Sequence, residues 1–296
     1  MCGHCGCGEN GSVVYVPGTA TGRRSDDDDG HHPHHHHHPH DHPQHLHHER
    51  HHHSHWPEPG AAASGDEARL EARILAANDR LAARNRAFFA GREMLVINLL
   101  GAPGAGKTTL LEALLARLDG SVPVLVVEGD QATDRDGARI RAAGAPVVQV
   151  NTGTGCHLDA AMVASAVARL APPLGSWLVI ENVGNLVCPA LFDLGENLRL
   201  VLASPTEGED KPLKYPHIFR SAHLVLLGKA DLLPHLGFQR DAFAGALAKV
   251  APDRPLLEVS GRDGRGLDAL IERLHAHHRR LRGEAAEALV ATEAGR

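Results

Sequence analysis

The chain has 296 residues, 43% of them apolar, and a formal net charge of −6 at pH 7. That length and apolar content suffice for one large globular domain or two small ones. A nucleic-acid-binding protein is disfavoured, because phosphate contacts require clustered Lys and Arg, which the sequence lacks. No apolar run approaches the roughly 18 residues that cross a membrane, and the N-terminus has no signal-peptide core, so we expect a cytoplasmic protein without membrane partners.

The composition changes sharply near residue 60. Most of the 24 histidines, three of the five cysteines and the acidic run Asp26–Asp29 precede this point, whereas the later sequence is periodic and rich in Ala, Leu and Val. A polar, low-complexity segment buries too little apolar surface to fold by itself. We therefore predict a disordered N-terminal metal-binding segment over residues 1–65, a globular domain over residues 66–283 and a C-terminal tail over residues 284–296.

The N-terminus carries a compact group of thiols. Cys2, Cys5 and Cys7 form a C-x-x-C-x-C pattern with glycine spacers, and three thiolates so close in sequence can bind one metal ion. Soft thiolates prefer Zn²⁺, Ni²⁺ or Cu(I). If Met1 is removed, the free α-amino group would complete a square-planar set that suits Ni²⁺, and His4 is an alternative fourth ligand. The competing interpretation is a redox-active C-x-x-C, but that motif normally opens a helix, and no helical pattern follows.

A histidine tract over residues 31–55 is the second metal-binding feature. Neutral imidazoles bind borderline metals at many overlapping sites of modest affinity. An expression tag would be uninterrupted, whereas Pro, Asp, Gln, Glu and Leu are interspersed here. We predict a nickel store whose first ligands are His31, His32, His34, His35, His36, His37, His38 and His40.

A phosphate-binding loop follows the apolar run 94–100. Residues 101–109 match G-x-x-x-x-G-K-[ST], and leucines at helical spacing follow, which together favour a nucleotide site over a simple Gly-rich turn. The loop amides would surround a phosphate at a helix N-terminus, Lys107 would supply charge for catalysis, and Thr108 would bind Mg²⁺. The predicted nucleotide contacts are Gly101, Gly104, Gly106, Lys107, Thr108 and Thr109.

Acidic residues follow two further predicted strands. Asp130 comes shortly after the apolar run 122–127, and the carboxyl end of a strand lies over the ligand crevice of an open α/β sheet. We predict that Asp130 binds Mg²⁺ through water or acts as a base, the alternative being a solvated acidic loop. Glu181 and Gly184 follow the strand 177–180 in an E-x-x-G pattern, where GTPases carry a Mg²⁺ carboxylate and a γ-phosphate amide.

A second metal site is predicted from residues on different elements. Cys156 and His157 are predicted to begin the helix after the strand 146–150, and Cys188 follows Gly184 closely. Because parallel strands end at one edge of a sheet, these side chains are a plausible three-ligand set for a metal ion, with a vacancy for exchange or for a second subunit. Considered on their own, Cys156 would be a buried thiol and His157 a histidine whose hydrogen bonds are satisfied within the protein.

The last motifs are those that would recognise the nucleotide base. Asp231 lies where an N-K-x-D base reader would, and its carboxylate would accept hydrogen bonds from guanine but meet an unprotonated N1 in adenine, so GTP is selected over ATP. Gly228 stands in place of the Asn, followed by Lys229, and Ser260 lies in the final base-side loop. Residues 206–216 are polar and broken by proline, which predicts a long irregular functional loop.

Strands and helices alternate along residues 94–274, so the predicted fold is α/β, a mostly parallel sheet flanked by helices in the manner of P-loop NTPases. The motifs occur in the order found in GTPases. In these motifs the chain resembles the hydrogenase nickel incorporation GTPases, the HypB family, over roughly residues 66–283 and separately at residues 2–8. The matching motifs are residues 101–109, 128–134, 151–157, 181–189 and 206–216.

The resemblance implies a SIMIBI-class GTPase that delivers Ni²⁺ to the precursor of the NiFe hydrogenase large subunit together with a HypA-type nickel metallochaperone. It also implies a homodimer that depends on nucleotide or metal. The implied ligands are Cys2, Cys5 and Cys7 for nickel, and Cys156, His157 and Cys188 for nickel or zinc.

Two alternative functions fit parts of the sequence. A urease-type nickel-insertion GTPase shares the fold but carries a contiguous Cys-Pro-His, whereas Cys188-Pro189 is followed here by Ala190. A nickel-storage protein with a regulatory nucleotide site would need the metal ligands without GTP hydrolysis.

Overall fold

A computed structural model describes residues 13–15, 65–130, 135–153 and 155–294. The described residues from Glu71 onwards belong to one compact unit, which contains the sheet. The N-terminal cysteines and the histidine tract lie outside the described residues. Among the described helices, none combines the length and apolar composition that crossing a bilayer requires.

In the described part of the chain, eight strands form one sheet. In chain order they are β1 (Val13–Tyr15), β2 (Leu95–Gly101), β3 (Val124–Asp130), β4 (Val147–Asn151), β5 (Trp177–Glu181), β6 (Leu198–Ala203), β7 (Leu224–Leu227) and β8 (Leu256–Glu258). Their order across the sheet is β1-β4-β3-β5-β2-β6-β7-β8. Strand β1 pairs antiparallel with β4, and all other neighbours are parallel, which confirms the predicted mostly parallel sheet.

Helices connect the parallel strands. They are α1 (Gly65–Gly91), α2 (Lys107–Leu118), α3 (Arg135–Ala142), α4 (Ala160–Leu170), α5 (Lys211–Lys214), α6 (Pro216–Ser221), α7 (Arg240–Val250) and α8 (Leu267–Ala294). Short 3₁₀ turns occur at Cys188–Ala190, Pro205–Glu207 and Ala230–His235.

The central strands are mostly apolar because helices cover both faces of the sheet. Every residue of β2 and β5 is buried. One face packs against leucines of α2 and α8, and the other packs against α4 and Phe89 of α1. This packing fixes the carboxyl ends of β2, β3 and β5 side by side, where the predicted site residues lie.

The structure differs from the sequence prediction over residues 206–216. Instead of an irregular loop, this stretch contains the end of a 3₁₀ turn, the whole of α5 and the first residue of α6. Pro205, Pro212 and Pro216 each stand in the first turn of such an element. The first turn is the one helical position that tolerates proline, because its N–H would have no intrahelical partner. The prolines therefore begin these helices.

The start of α4 also differs. Asp159 caps this helix, since its Oδ1 accepts a hydrogen bond of 2.8 Å from the Met162 N–H. Cys156 and His157 therefore lie in the loop before the helix, and the prediction that they begin it is wrong.

Two chain ends carry more regular structure than expected. The strand β1 lies within residues 1–65, where a strand was not predicted, although Val and Tyr favour strands. Helix α8 continues to Ala294, so the predicted boundary at residue 283 falls inside a helix.

Candidate nucleotide and metal sites

The phosphate loop joins β2 to α2. Gly104 and Gly106 have φ angles of 71° and 101°, a left-handed backbone that residues with a side chain rarely adopt. Lys107 begins α2, is buried, and donates from Nζ to the carbonyl of Ala102 at 3.3 Å. Burial lowers the pKa of Lys107, because the charged form loses its hydration. A phosphate group at this position would replace the lost hydration.

Thr108 contacts the end of β5 directly. Its Oγ1 donates a hydrogen bond of 2.7 Å to Oε1 of Glu181, which is buried. The other carboxylate oxygen, Oε2, has no hydrogen-bond partner among the described residues. Burial raises the pKa of Glu181 to about 7. The Thr108 hydroxyl and the Glu181 carboxylate thus lie together at the start of α2, and one carboxylate oxygen remains without a partner among the described residues.

Glu128 adds a second buried carboxylate that sequence reasoning missed. It is 3% exposed, lines the same cleft as Glu181, and has an Oε2 without a hydrogen-bond partner in the described chain. Burial raises its pKa to about 9, with a further contribution from the charge of Glu181. The signal was available, because Glu128 precedes Asp130 by two residues and strand side chains two apart share a face.

These carboxylates surround an open cleft of about 510 Å³. Asp130, Asp136 and Arg139 line it together with the phosphate loop. Hard divalent cations prefer carboxylate and hydroxyl oxygens, so the unpartnered oxygens of Glu128 and Glu181 fit Mg²⁺. The cleft is therefore suited to a phosphate chain with its magnesium ion.

Gly184 lies against the phosphate loop. A side chain on Gly184 would place its Cβ 2.9 Å from both N and Cα of Pro103, so glycine is required for this close approach. The turn after β5 and the phosphate loop are consequently in direct contact, and a movement of one must displace the other.

The base-side residues follow the last two strands, β7 and β8. The Oγ of Ser260 donates to Oδ1 of Asp231 at 2.8 Å, and Lys229 donates from Nζ to the carbonyl of Gly104 at 2.7 Å. Gly228 is packed so closely that an added Cβ would lie 2.7 Å from Cδ1 of Leu202. This contact gives a physical reason for Gly where related motifs carry Asn. The predicted base reader and its supports therefore lie together.

Cys156, His157 and Cys188 form a cluster, called here the thiol cluster. Their ligand atoms all lie within 4.8 Å of one another, and Sγ of Cys156 lies 3.7 Å from Nδ1 of His157. The ring of His157 stacks on Phe192 with centroids 3.8 Å apart. Burial lowers the pKa of His157, which favours the neutral imidazole that binds metals. The geometry fits a soft or borderline metal ion.

The thiol cluster and the nucleotide cleft share one segment. Glu181 and Gly184 face the cleft, and Cys188 follows in a 3₁₀ turn at residues 188–190. Sequence reasoning identified these residues but missed Asn182 and Asn185 between them, since an isolated Asn carries no motif signal. Both asparagines hydrogen-bond to the loop that contains Cys156 and His157.

Comparison with known proteins identifies similar chains. Residues 95–258 match a family model described as the CobW/HypB/UreG nucleotide-binding domain. The hydrogenase maturation factor HypB of Escherichia coli strain K12 is 55% identical over 199 residues, 67% of this chain and 69% of that protein. HypB of Azotobacter vinelandii is 53% identical over 220 residues, 73% of each chain. The hydrogenase/urease maturation factor HypB of Helicobacter pylori is 37% identical over 209 residues, 69% of this chain and 86% of that protein.

Two solved structures share the fold. The crystal structure of HypB from Helicobacter pylori in complex with nickel aligns with a TM-score of 0.65 at 36% identity, over 69% of this chain and 95% of that one. HypB from Archaeoglobus fulgidus aligns with a TM-score of 0.64 at 35% identity, over 69% of this chain and 99% of that one.

Proposed function

The chain belongs to the HypB family of hydrogenase maturation factors, P-loop proteins of the CobW/HypB/UreG group, and from this premise we propose that it hydrolyses GTP to insert nickel into NiFe hydrogenase. One observation carries the proposal. The segment from Glu181 to Cys188 contacts the phosphate loop at one end and supplies a thiol-cluster ligand at the other. A change at the γ-phosphate therefore has a short mechanical route to the metal ligands.

In this proposal the chain holds GTP through three groups of residues. Lys107 and the amides of Gly104 and Gly106 bind the phosphates, and the loop lies at the N-terminus of α2, whose dipole favours anions. Asp231, held by Ser260, accepts the guanine N–H groups. Lys229 braces the phosphate loop through the carbonyl of Gly104. Gly101 at the end of β2 and Thr109 in the first turn of α2 flank the loop.

Thr108 would hold Mg²⁺, with Glu181 and Asp130 nearby. When bound, the ion supplies positive charge against the phosphate oxygens. Asp130 ends β3 at the edge of the cleft, where its carboxylate positions the attacking water or accepts its proton. Glu128 completes the acidic wall of the site.

Nickel is the cargo of this reaction. Cys156, His157 and Cys188 bind Ni²⁺ or Zn²⁺, and three ligands leave a four-coordinate ion one open position. A second subunit or an acceptor protein fills that position, which makes dimerisation depend on metal and nucleotide. The homologue from Helicobacter pylori was crystallised in complex with nickel, which supports nickel as the metal.

The N-terminal segment stores the cargo in this proposal. Cys2, Cys5 and Cys7 form a tight nickel site, and the histidine tract over residues 31–55 holds further ions. The chain acts together with a HypA-type metallochaperone to transfer Ni²⁺ to the precursor of the hydrogenase large subunit.

The proposal is tested in cells. A strain with Lys107→Ala is compared with one carrying Lys249→Ala, an exposed lysine on α7 that serves as a matched control. We expect Lys107→Ala to abolish hydrogenase activity while the protein keeps its bound nickel. Intact hydrogenase maturation in the Lys107→Ala strain would show that the protein only stores nickel.

A second candidate function is urease maturation. The Helicobacter pylori relative is named a hydrogenase/urease maturation factor, which favours testing this function. Ala190 after Cys188-Pro189 departs from the Cys-Pro-His of urease-type GTPases. Urease activity measured in the same Lys107→Ala strain distinguishes the two acceptors.

A further inference from the structure

Asn185 contacts three segments of the chain: the start of the phosphate loop, the loop that contains Cys156, and the turn that contains Cys188. Its backbone forms an isolated antiparallel bridge with Gly101, the first residue of the phosphate loop. Its side-chain Nδ2 donates to the carbonyl of Cys156 at 3.3 Å. Its Oδ1 accepts a hydrogen bond of 2.8 Å from the N–H of Val187, next to Cys188. One half-buried side chain thus orients the backbone around both thiol ligands.

The residue beside it is the contact point with the phosphate loop. Gly184 packs so tightly on Pro103 that a Cβ would lie 2.9 Å away. A phosphate that repositions the loop therefore displaces Gly184 and Asn185 together, because they are adjacent in the chain. Movement of Asn185 then shifts Cys156 through the hydrogen bond from its Nδ2 to the Cys156 carbonyl. It shifts Cys188 through the hydrogen bond that its Oδ1 accepts from the N–H of the adjacent Val187.

The His157 side of the thiol cluster is anchored differently. The N–H of Leu158, next to His157, donates to Oδ1 of Asn182 at 3.3 Å. Asn182 is 1% exposed, and its Nδ2 donates to Oδ1 of Asn98 on the central strand β2. His157 is thus held by the core of the sheet, whereas the segments of Cys156 and Cys188 are held by Asn185. Displacement of Asn185 changes the distances between thiols and imidazole.

We propose that Asn185 is the positioning residue that transmits the state of the nucleotide cleft to the thiol cluster. The inference rests on the proposed function, since it requires that nucleotide and metal binding are coupled. Asn185 touches neither the metal nor the nucleotide in this scheme, and it acts only through the backbones of Cys156, Val187 and Gly101.

The test uses the full chain with Cys2→Ser, Cys5→Ser and Cys7→Ser, so that thiolate-to-metal absorption reports only on Cys156 and Cys188. Free Ni²⁺ is set by a chelator buffer, and affinity is measured with GDP and with a non-hydrolysable GTP analogue. Coupling of the usual size would change affinity by about 5- to 150-fold between the two nucleotides. Asn185→Ala should reduce that ratio to below about twofold and make the absorption spectrum independent of nucleotide.

Asn197→Ala is the matched control. Asn197 is also half-buried, and its Oδ1 also accepts a backbone hydrogen bond of 2.8 Å, from the Val96 N–H. It should keep the wild-type ratio. Asn185→Ser guards against misfolding, because a hydroxyl can still accept from Val187 but lacks the amide that reaches Cys156. Asn185→Ser should therefore also lose the dependence of Ni²⁺ affinity on the bound nucleotide.

The outcomes separate the two claims. A wild-type ratio retained in both Asn185→Ala and Asn185→Ser overturns the role of Asn185 and leaves the proposed function standing. A ratio near one in the Asn185-containing parent chain contradicts the coupling in the proposed function, and the role of Asn185 falls with it. Loss of the ratio in Asn197→Ala as well would mean that any local loosening abolishes coupling, which also overturns a specific role for Asn185.

Discussion

The hydroxyl of Thr108 lies 2.7 Å from a carboxylate oxygen of Glu181, and this contact joins the first turn of α2 to the end of β5. Both residues are buried, and the second oxygen of Glu181 has no partner within the described residues. A buried carboxylate without a full set of partners is unfavourable, so the pair is arranged for a cation.

Replacing Thr108 tests this arrangement. Thr108→Ala removes the hydroxyl from the magnesium position and the hydrogen bond from Glu181, so GTP turnover should fall on the order of 10²-fold or more and require more Mg²⁺. Thr108→Ser keeps the hydroxyl and should retain most of the activity. Steady-state hydrolysis across a Mg²⁺ titration provides the measurement, and equal turnover in the two variants would remove Thr108 from the metal site.

Glu128 should make the stability of the nucleotide-free protein depend on pH. Its pKa is raised by burial from 4.5 to about 9, so the folded state favours the protonated carboxyl. The contribution of this protonated carboxyl to the free energy of unfolding is fully present at pH values below about 4.5 and is lost as the pH rises toward 9. Glu128→Gln stays neutral, so it should become more stable than wild type by up to about 1.4 kcal/mol for each pH unit in this window.

Denaturant unfolding in EDTA from pH 6 to pH 9 measures the difference, with Glu272→Gln, an exposed acid on α8, as the control. A difference between Glu128→Gln and wild type that is constant with pH would contradict the burial of an uncompensated charge. Addition of nucleotide with Mg²⁺ should reduce the pH dependence of the wild type, because the cation offsets the carboxylate charge.

The nucleotide base is read by Asp231 in this account. Asp231→Asn replaces one acceptor with an amide donor, so affinity should shift from GTP toward xanthosine triphosphate, whose O2 accepts from that amide. Ser260→Ala removes the hydroxyl that donates to Asp231 and should weaken GTP binding without changing the preferred base. Competition binding with both nucleotides gives the result, and unchanged GTP affinity in Asp231→Asn would exclude Asp231 as the base reader.

The histidine tract should bind nickel in a pH-dependent way. An exposed imidazole has a pKa of about 6.5 and binds metals only when neutral, so residues 31–55 should hold many ions at about pH 7.5 and release most by about pH 5. Deleting residues 31–55 should remove this capacity and leave the thiol sites. Equilibrium dialysis that finds the same nickel stoichiometry after the deletion would rule out storage by the tract.

Much of the fold was predictable because the apolar strands and the phosphate loop are local signals. The run at residues 94–100 and the glycines of the loop fix a strand, a turn and a helix without help from the rest of the chain. The pairing of β2 with β5 and β6 then follows from the general rules for parallel sheets. The prolines of residues 205–216 led to the wrong prediction of an irregular loop. Proline inside a helix usually ends it, but proline is also common in the first turn, as it is here.

The site was less predictable where partners are distant in sequence. Cys156 and Cys188 were grouped because both follow strands that end at the same edge of the sheet. The close contact of Gly184 with Pro103 and the hydrogen bonds of Asn185 depend on how two loops pack, and neither has a sequence pattern. The burial of Glu128 likewise depends on segments that are distant in sequence, since it lines the cleft with the phosphate loop and Glu181.

In the proposed function, nucleotide binding in the cleft and metal binding at the thiol cluster are linked. The most direct test of this linkage measures GDP and GTP-analogue affinity of the chain lacking the N-terminal thiols, with and without saturating Ni²⁺, beside a Cys188→Ser variant. Linkage requires nickel to change the ratio of the two nucleotide affinities by the same factor, about 5- to 150-fold, by which nucleotide changes nickel affinity. Cys188→Ser should abolish that change and still bind GTP. Identical nucleotide affinity ratios with and without nickel in the Cys188-containing chain would contradict the account.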